Sequence, residues 1–285
     1  MKIKSILIAL TAVAVSFSAT GQSLEAQLAG KKPVVMEAPN FKVKKPATFK
    51  AVGPVKLVSS KQNDIIDGDE WLRDHSGGQA DLINPDNAPA GFPKEIDGAK
   101  LCRLVCDNAG GKYIGLYGYF NEEPLRLIIT DAEAKTVEHY INFDNFKWPP
   151  VKVHYAASNL FGQWARVVDD TLYYSFGHNT YADSTNGMTG YICAIDLNTY
   201  KMKWLAGPTV SNSTFDFSYN RIICGYGFTD EPDYLYVLDA NSGKYIQRVK
   251  LRKGPDYIVV TGDKVYVRTY SYDYIFNIKA GVSGK

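Results

Sequence analysis

Cysteine and histidine are scarce, four of each in 285 residues, and that scarcity removes several kinds of chemistry at once. No Cys/His spacing resembles a zinc site. Cys102 and Cys106 stand four apart in an extended run, which sets their α-carbons about 13 Å apart, beyond the roughly 7 Å a disulfide spans. Cys193 and Cys224 lie inside apolar runs, where free cysteine behaves as a small hydrophobe. All four are expected unpaired. His75, His139, His154 and His178 are scattered, and there is no Gly-x-Ser-x-Gly elbow, phosphate-binding loop or metal-binding His pair. Net charge is also small, +2 with 22% charged and 45% hydrophobic residues, so neither disorder nor a nucleic-acid footprint is indicated.

A membrane-spanning run is missing too. The N-terminal apolar stretch from Ile6 to Val15 is too short to cross a bilayer. It follows Lys2 and Lys4 and precedes Ala19-Thr20-Gly21, an order that predicts a secretory signal peptide over residues 1–21 and a secreted or periplasmic mature chain. With no Cys at the exit, a lipid anchor is not expected. The 264 residues that remain (285 − 21) suit one large all-β domain.

What the chain has in abundance is tyrosine, 20 residues against 13 Phe and 4 Trp. Most fall in alternating runs such as Val265 to Tyr274, and Tyr fits a half-buried pleated surface. The second half also repeats itself. Ala194-Ile-Asp-Leu-Asn-Thr-Tyr-Lys-Met-Lys-Trp204 is echoed by Val237-Leu-Asp-Ala-Asn-Ser-Gly-Lys-Tyr-Ile-Gln247, with the shared Asp recurring after 239 − 196 = 43 residues. A period of roughly 20 to 50 residues signals a repeat architecture.

Four units can be overlaid. Each opens with a hairpin, at 103–106/113–117, 165–168/172–176, 214–217/222–226 and 257–260/265–269. Asp169-Asp170, Tyr219-Asn220 and Gly262-Asp263 supply tight reversals. A variable loop follows, then a third strand ending at Asp131, Asp196, Asp239 or Asn277, a turn, and a fourth strand such as Tyr245 to Leu251. A four-stranded antiparallel meander repeated at this length is the blade of a β-propeller. The expected fold is therefore an all-β propeller with four clear repeats over residues 101–285.

Ala194, Asp196, Thr199, Lys201 and Trp204 fall on an Ala-x-Asp-x-x-Thr-Gly-Lys-x-x-Trp pattern, with Tyr200 in place of the Gly. The second copy keeps Asp239, Ser242, Gly243 and Lys244 but has Gln247 in place of the Trp. This resembles the docking motif of the quinoprotein-like propeller superfamily (PQQ-like repeats) across residues 101–278. The resemblance implies that these residues lock blade to blade and carry no chemistry, as in a non-catalytic member. The enzymes of that superfamily use a quinone and calcium. They also use a disulfide between neighbouring cysteines, which this sequence lacks.

The last unit ends after its third strand, which would leave an exposed sheet edge. The N-terminal segment 22–60 is expected to supply the missing outer strand, from Phe41–Lys44 or Val55–Ser59, or else further blades. The propeller domain is placed at 61–285, and Asp64 to Ala99, with Trp71, reads as irregular, a degenerate blade or a cap.

Chemistry is expected in the loops between second and third strands, which share one face. Tyr119 to Pro124, His178 to Thr189 and Phe228 to Asp233 stand out. Glu122, Glu123, Asp183, Asp230, Glu231 and Asp233 could together hold a polar ligand, with His178 and Tyr181 from the longest loop. No cofactor is called for. Oxygen ligands would suit calcium, but no compact calcium-loop spacing is present. The expected function is a monomeric, non-enzymatic binding protein presenting this face to a protein, peptide or glycan. The alternatives are a quinoprotein-like oxidoreductase and a carbohydrate-active enzyme.

Overall fold

Each repeat becomes one antiparallel sheet in the computed structural model, which describes residues 22–50, 52–64, 68–75, 79–119, 122–146, 160–178 and 180–279. Ahead of the repeats come α1 (Leu24–Leu28), β1 (Val34–Val35), β2 (Val55–Gln62), α2 (Gly68–His75), β3 (Asp81–Ile83) and β4 (Glu95–Ile96). The first blade is β5 (Ala99–Asp107), β6 (Lys112–Tyr119), β7 (Glu122–Thr130) and β8 (Val137–Asn142), extended to seven strands by β3 and β4 on β5 and by β1, parallel, on β8. The second is β9 (Leu160–Val168), β10 (Thr171–His178), β11 (Tyr191–Asp196) and β12 (Lys201–Ala206). The third is β13 (Asp216–Ser218), β14 (Arg221–Tyr226), β15 (Tyr234–Asp239) and β16 (Tyr245–Lys250). The fourth is β17 (Pro255–Thr261), β18 (Lys264–Thr269) and β19 (Tyr272–Ile278).

The outer strand of the fourth sheet is β2, antiparallel to β19 with Ser59 opposite Ile275 and Lys56 opposite Asn277. Of the two candidate segments, Val55–Ser59 thus takes the strand position. Phe41 instead packs edge-on against Phe146, Phe176 and Tyr191. The hairpins follow their turn residues. Asp169 and Asp170 both have positive φ (46° and 53°) between the paired Val168 and Thr171, the backbone that a two-residue type I′ link requires. All four cysteines are free.

Burial explains the strand order. Every residue of β10 is buried, as expected where both faces of a middle strand meet neighbouring sheets. The outer β12 alternates exposed with half-buried positions. The docking motif works at this outer margin. Trp204 Nε1 donates to Ala240 O in the next blade at 3.0 Å, and its ring lies on Gly243. A Cβ added at that glycine would come within 2.6 Å of the indole, and its φ is +66°, so both space and backbone favour glycine. Asp196 Oδ1 accepts from the backbone of Asn198 and Thr199 (3.0 and 2.8 Å) and from the Thr199 hydroxyl. Asp239 does the same for Ser242.

The residue eight places after each of these aspartates is the one that reaches across. Trp204 follows Asp196, Gln247 follows Asp239 and His139 follows Asp131. Gln247 exchanges two 2.9 Å bonds with the Val55 backbone, and the His139 ring bonds Tyr200 Oη at 2.9 Å. Three chemically different side chains do one docking job. Ala194 is buried beneath the motif, and Lys201 is exposed.

The innermost strands are tied by one arginine. Arg166 of β9 donates from Nε to Asp107 of β5 at 2.8 Å and from Nη1 to Asp216 of β13 at 2.7 Å. The two carboxylates continue the tie. Asp107 accepts from Val167 N, and Asp216 accepts from Val260 N of β17. All three side chains are buried. Burial holds the Asp216 carboxyl above the ordinary carboxylate range, against the opposing pull of Arg166. The stretch read as irregular, Asp64 to Ala99, contains a helical wedge. Helix α2 buries Trp71 and Leu72 and packs against β17 and β3. Just beyond it, Gln79 accepts from Arg166 and donates to Val260 O.

Candidate functional site

The first strands of the four blades contribute to one cavity of about 610 Å³. Its wall takes Arg103 from β5, Gln163 from β9, Thr214 just before β13, and Asp256 and Tyr257 from β17. Arg268 and Tyr270, at the end of β18 and just beyond it, complete the rim. These positions lie at the end of the barrel where the loops between second and third strands emerge.

The cavity is polar and mixed in charge. Arg103 donates to Gln163 O. Arg268 reaches the Asp273 carboxylate at 3.3 and 3.4 Å and Asp64 O at 2.9 Å, and stands 5.9 Å from the Trp71 ring. Asp256 stands exposed on the wall. The protein around it raises its carboxyl, with Arg268 pulling the other way.

A second cavity of about 630 Å³ adjoins the first and shares Asp256 and Tyr270 with it. Its remaining wall is the Phe228–Asp233 loop with Lys253 and Gly254. The backbones of Gly227 and Gly254 meet here so closely that a Cβ on Gly227 would fall 2.3 Å from Gly254 Cα. Asn212 clamps Gly227 by donating to its carbonyl and accepting from its N–H, at 2.7 and 3.2 Å. The two cavities adjoin as one groove at Asp256 and Tyr270, the latter 79% exposed.

The sequence-derived candidates divide sharply. Asp230, Glu231 and Asp233 line the second cavity. Burial holds the Asp233 carboxyl above its usual range, opposed by Lys250 and Lys253. Glu231 is occupied in joining two loops. It accepts from Ala182 N at 2.5 Å and from Tyr226 Oη at 2.7 Å, while Tyr181 packs edge-on to Phe228 with centroids 5.0 Å apart. Tyr181 and Asp183, in and beside the one-turn helix Ala182–Thr185, are therefore brought to the margin of the groove. His178 lines neither cavity. It is buried at the end of β10, its backbone N–H bonds Thr189 Oγ1 at 2.8 Å, and burial pushes its ring down to about 4.

Glu122 and Glu123 belong to β7, so the Tyr119–Pro124 stretch is largely strand. Their side chains lie outside the described residues. Sequence reasoning missed Arg103, Gln163, Thr214, Asp256, Arg268 and Tyr270. The available signal was slight, most visibly Asp256 after Pro255 at the start of β17. No three His, Cys, Asp or Glu side chains are grouped to hold a metal among the described residues.

Three antiparallel four-stranded sheets and a seven-stranded one built on the first blade define an all-β fold of the β-propeller class. No family model matches it, and no curated protein is similar to it at a significant level. Among solved structures it is similar to the computationally designed Ika4 protein, at 11% identity over 67% of this chain and 96% of that one, TM-score 0.39. It is also similar to the WD40 β-propeller domain of Doa1, at 14% identity over 67% of this chain and 52% of that one, TM-score 0.39. A third is BamB from Moraxella catarrhalis, at 11% identity over 71% of this chain and 80% of that one, TM-score 0.30. The chain thus spans nearly all of the first and about half of the second. Likeness at this level says nothing about what the groove binds.

Proposed function

We propose that this chain is an exported binding protein that takes a glycan in the groove at its loop face. The observation that carries the reading is the union of the two cavities through Asp256 and Tyr270. A polar, mixed-charge trough suits a hydroxyl-rich chain that needs many donors and acceptors, and an exposed tyrosine can stack on its apolar ring faces. The order of basic, apolar and small residues in 1–21 supports export. The resemblance of the repeats supports placement among non-catalytic quinoprotein-like propellers, and the reading needs no cofactor.

A second reading, cleavage of the same glycan, is favoured by one observation, the raised Asp256 carboxyl with Asp230 and Asp233 along the same groove. Cleavage needs one protonated acid and one carboxylate flanking the scissile bond. Calorimetry against a panel of neutral and acidic oligosaccharides, with reducing-end release followed in parallel, separates the two. Binding is expected to weaken about fivefold in Tyr270→Ala and further in Asp256→Asn, with the oligosaccharide recovered intact. Release abolished by Asp256→Asn would establish the second reading, and affinity unmoved by both substitutions would remove the groove from either.

A further inference from the structure

The small net charge conceals a strong separation of charge. Between Glu37 and Asp64 the chain has six lysines and no acidic residue, and between Asp239 and Asp256 it has five basic residues and again no acidic one. Eleven of the 32 Lys and Arg residues thus sit in two acid-free segments.

The fold lays these two segments together. Phe49 packs on Tyr245 with ring centroids 5.6 Å apart, the Arg248 guanidinium stands 4.1 Å from the Phe49 ring, and Gln247 is bonded to Val55 through both its amide atoms. The contacts run along the outer margin of the third blade and lead into β2, the outer strand of the fourth. Among the described residues none of the eleven is ion-paired. Arg248 and Lys250 are held over Tyr234 at 4.2 and 4.9 Å, and Arg252 over Tyr272 at 4.8 Å. Aromatic faces thus fix these cations without cancelling their charge. Asp233, whose carboxyl feels the charges of Lys250 and Lys253, is buried. Lys45, set into the same surface, has its ammonium pushed down to about 8 by burial and by the charge of Arg248.

Beside the cations stand exposed apolar side chains. Val52 is 86% exposed, and Leu57 and Val58 on β2 are 50% and 53% exposed. Seven of the eight residues of β2 are exposed, because as the outermost strand it has solvent on both faces. A soluble polyanion would need only the charges. A surface that combines unpaired cations with projecting apolar groups matches an anionic bilayer, where headgroups meet the first and acyl chains the second.

We infer that the outer margin of the third and fourth blades, from Lys50 through Lys56 and along Arg248 to Arg252, is a peripheral docking surface for an anionic lipid bilayer. It is separate from the groove at the loop face and stands or falls independently of it.

The test is co-sedimentation with vesicles of equal parts phosphatidylcholine and phosphatidylglycerol against vesicles of phosphatidylcholine alone. The full chain is compared with one starting at Gln22, so that the apolar N-terminal stretch is controlled. Each charge near an anionic leaflet is worth about fivefold in partitioning, so Lys50→Gln with Lys250→Gln and Arg252→Gln is expected to lose roughly a hundredfold. Partitioning is also expected to fall as salt shortens the Debye length, and to fall in Val52→Ser with Leu57→Ser. Three results would overturn the inference. One is no preference of the Gln22 chain for anionic vesicles. Another is heparin binding that loses as much in the charge variant while the apolar variant leaves vesicle binding unchanged, which would mark a soluble polyanion site. The third is a lipid-free dimer converted to monomer by Leu57→Ser, which would make the edge an interface between copies.

Discussion

Replacing Arg166 by Met removes the single cation that joins three inner strands and leaves Asp107 and Asp216 buried without it. Breaking a buried ion pair by deleting one partner costs about 3 to 5 kcal/mol, because the remaining charge stays desolvated. Here two carboxylates lose the same partner, at 2.8 and 2.7 Å, so a loss near the upper figure is expected in urea unfolding at neutral pH. The pH dependence has a definite sign. Without the guanidinium the buried Asp216 carboxyl, already raised by burial, takes up a proton more readily in the folded state than in the unfolded one. The variant therefore recovers relative to the parent as pH falls toward the ordinary carboxylate range. In a background carrying Asp107→Asn and Asp216→Asn, which keeps the backbone hydrogen bonds, Arg166→Met should cost little. A loss below about 1 kcal/mol in the parent, or an equal loss in both backgrounds, would refute the coupling.

Trp204→Ala should lower stability by about 2 to 3 kcal/mol, less than for a fully buried Trp because this indole is only half-buried. It should leave glycan affinity unchanged in the same calorimetry. Gly243→Ala should be comparably damaging, since its Cβ would meet the same ring; a neutral result would show that the ring can move aside. His178, pushed down to about 4, takes up protons less readily folded than unfolded. Stability should fall by roughly 2 to 3 kcal/mol as pH drops from about 6.5 to 4. Acid titration of unfolding should lose that increment in His178→Gln.

The repeats made the sheets legible because three of the four third strands lead into an aspartate, and the last into an asparagine, whose turn chemistry is local. The missing outer strand was legible because an unpaired edge needs a partner. The docking position was only half legible. Trp204, Gln247 and His139 share a place in three blades but no chemistry, so only the indole announced itself. Arg166, Asp107 and Asp216 were hidden because they lie in three separate strands, and nothing in their spacing foretells that three blades bring them together. The site divided the same way. The acidic Phe228–Asp233 loop was visible as a cluster, whereas Asp256, Arg103 and Arg268 come from three different strands that only the fold assembles. His178 drew notice for the length of its loop, but it stands at the loop's base and is buried.

Hydrogen exchange of the protein with and without a bound oligosaccharide tests the central claim most directly. Added protection should appear at residues 212–214, 227–233, 254–257 and 268–270, the backbone around the two joined cavities. Protection confined to other surfaces, with these four segments unchanged under saturating ligand, would contradict the placement of the binding site in this groove.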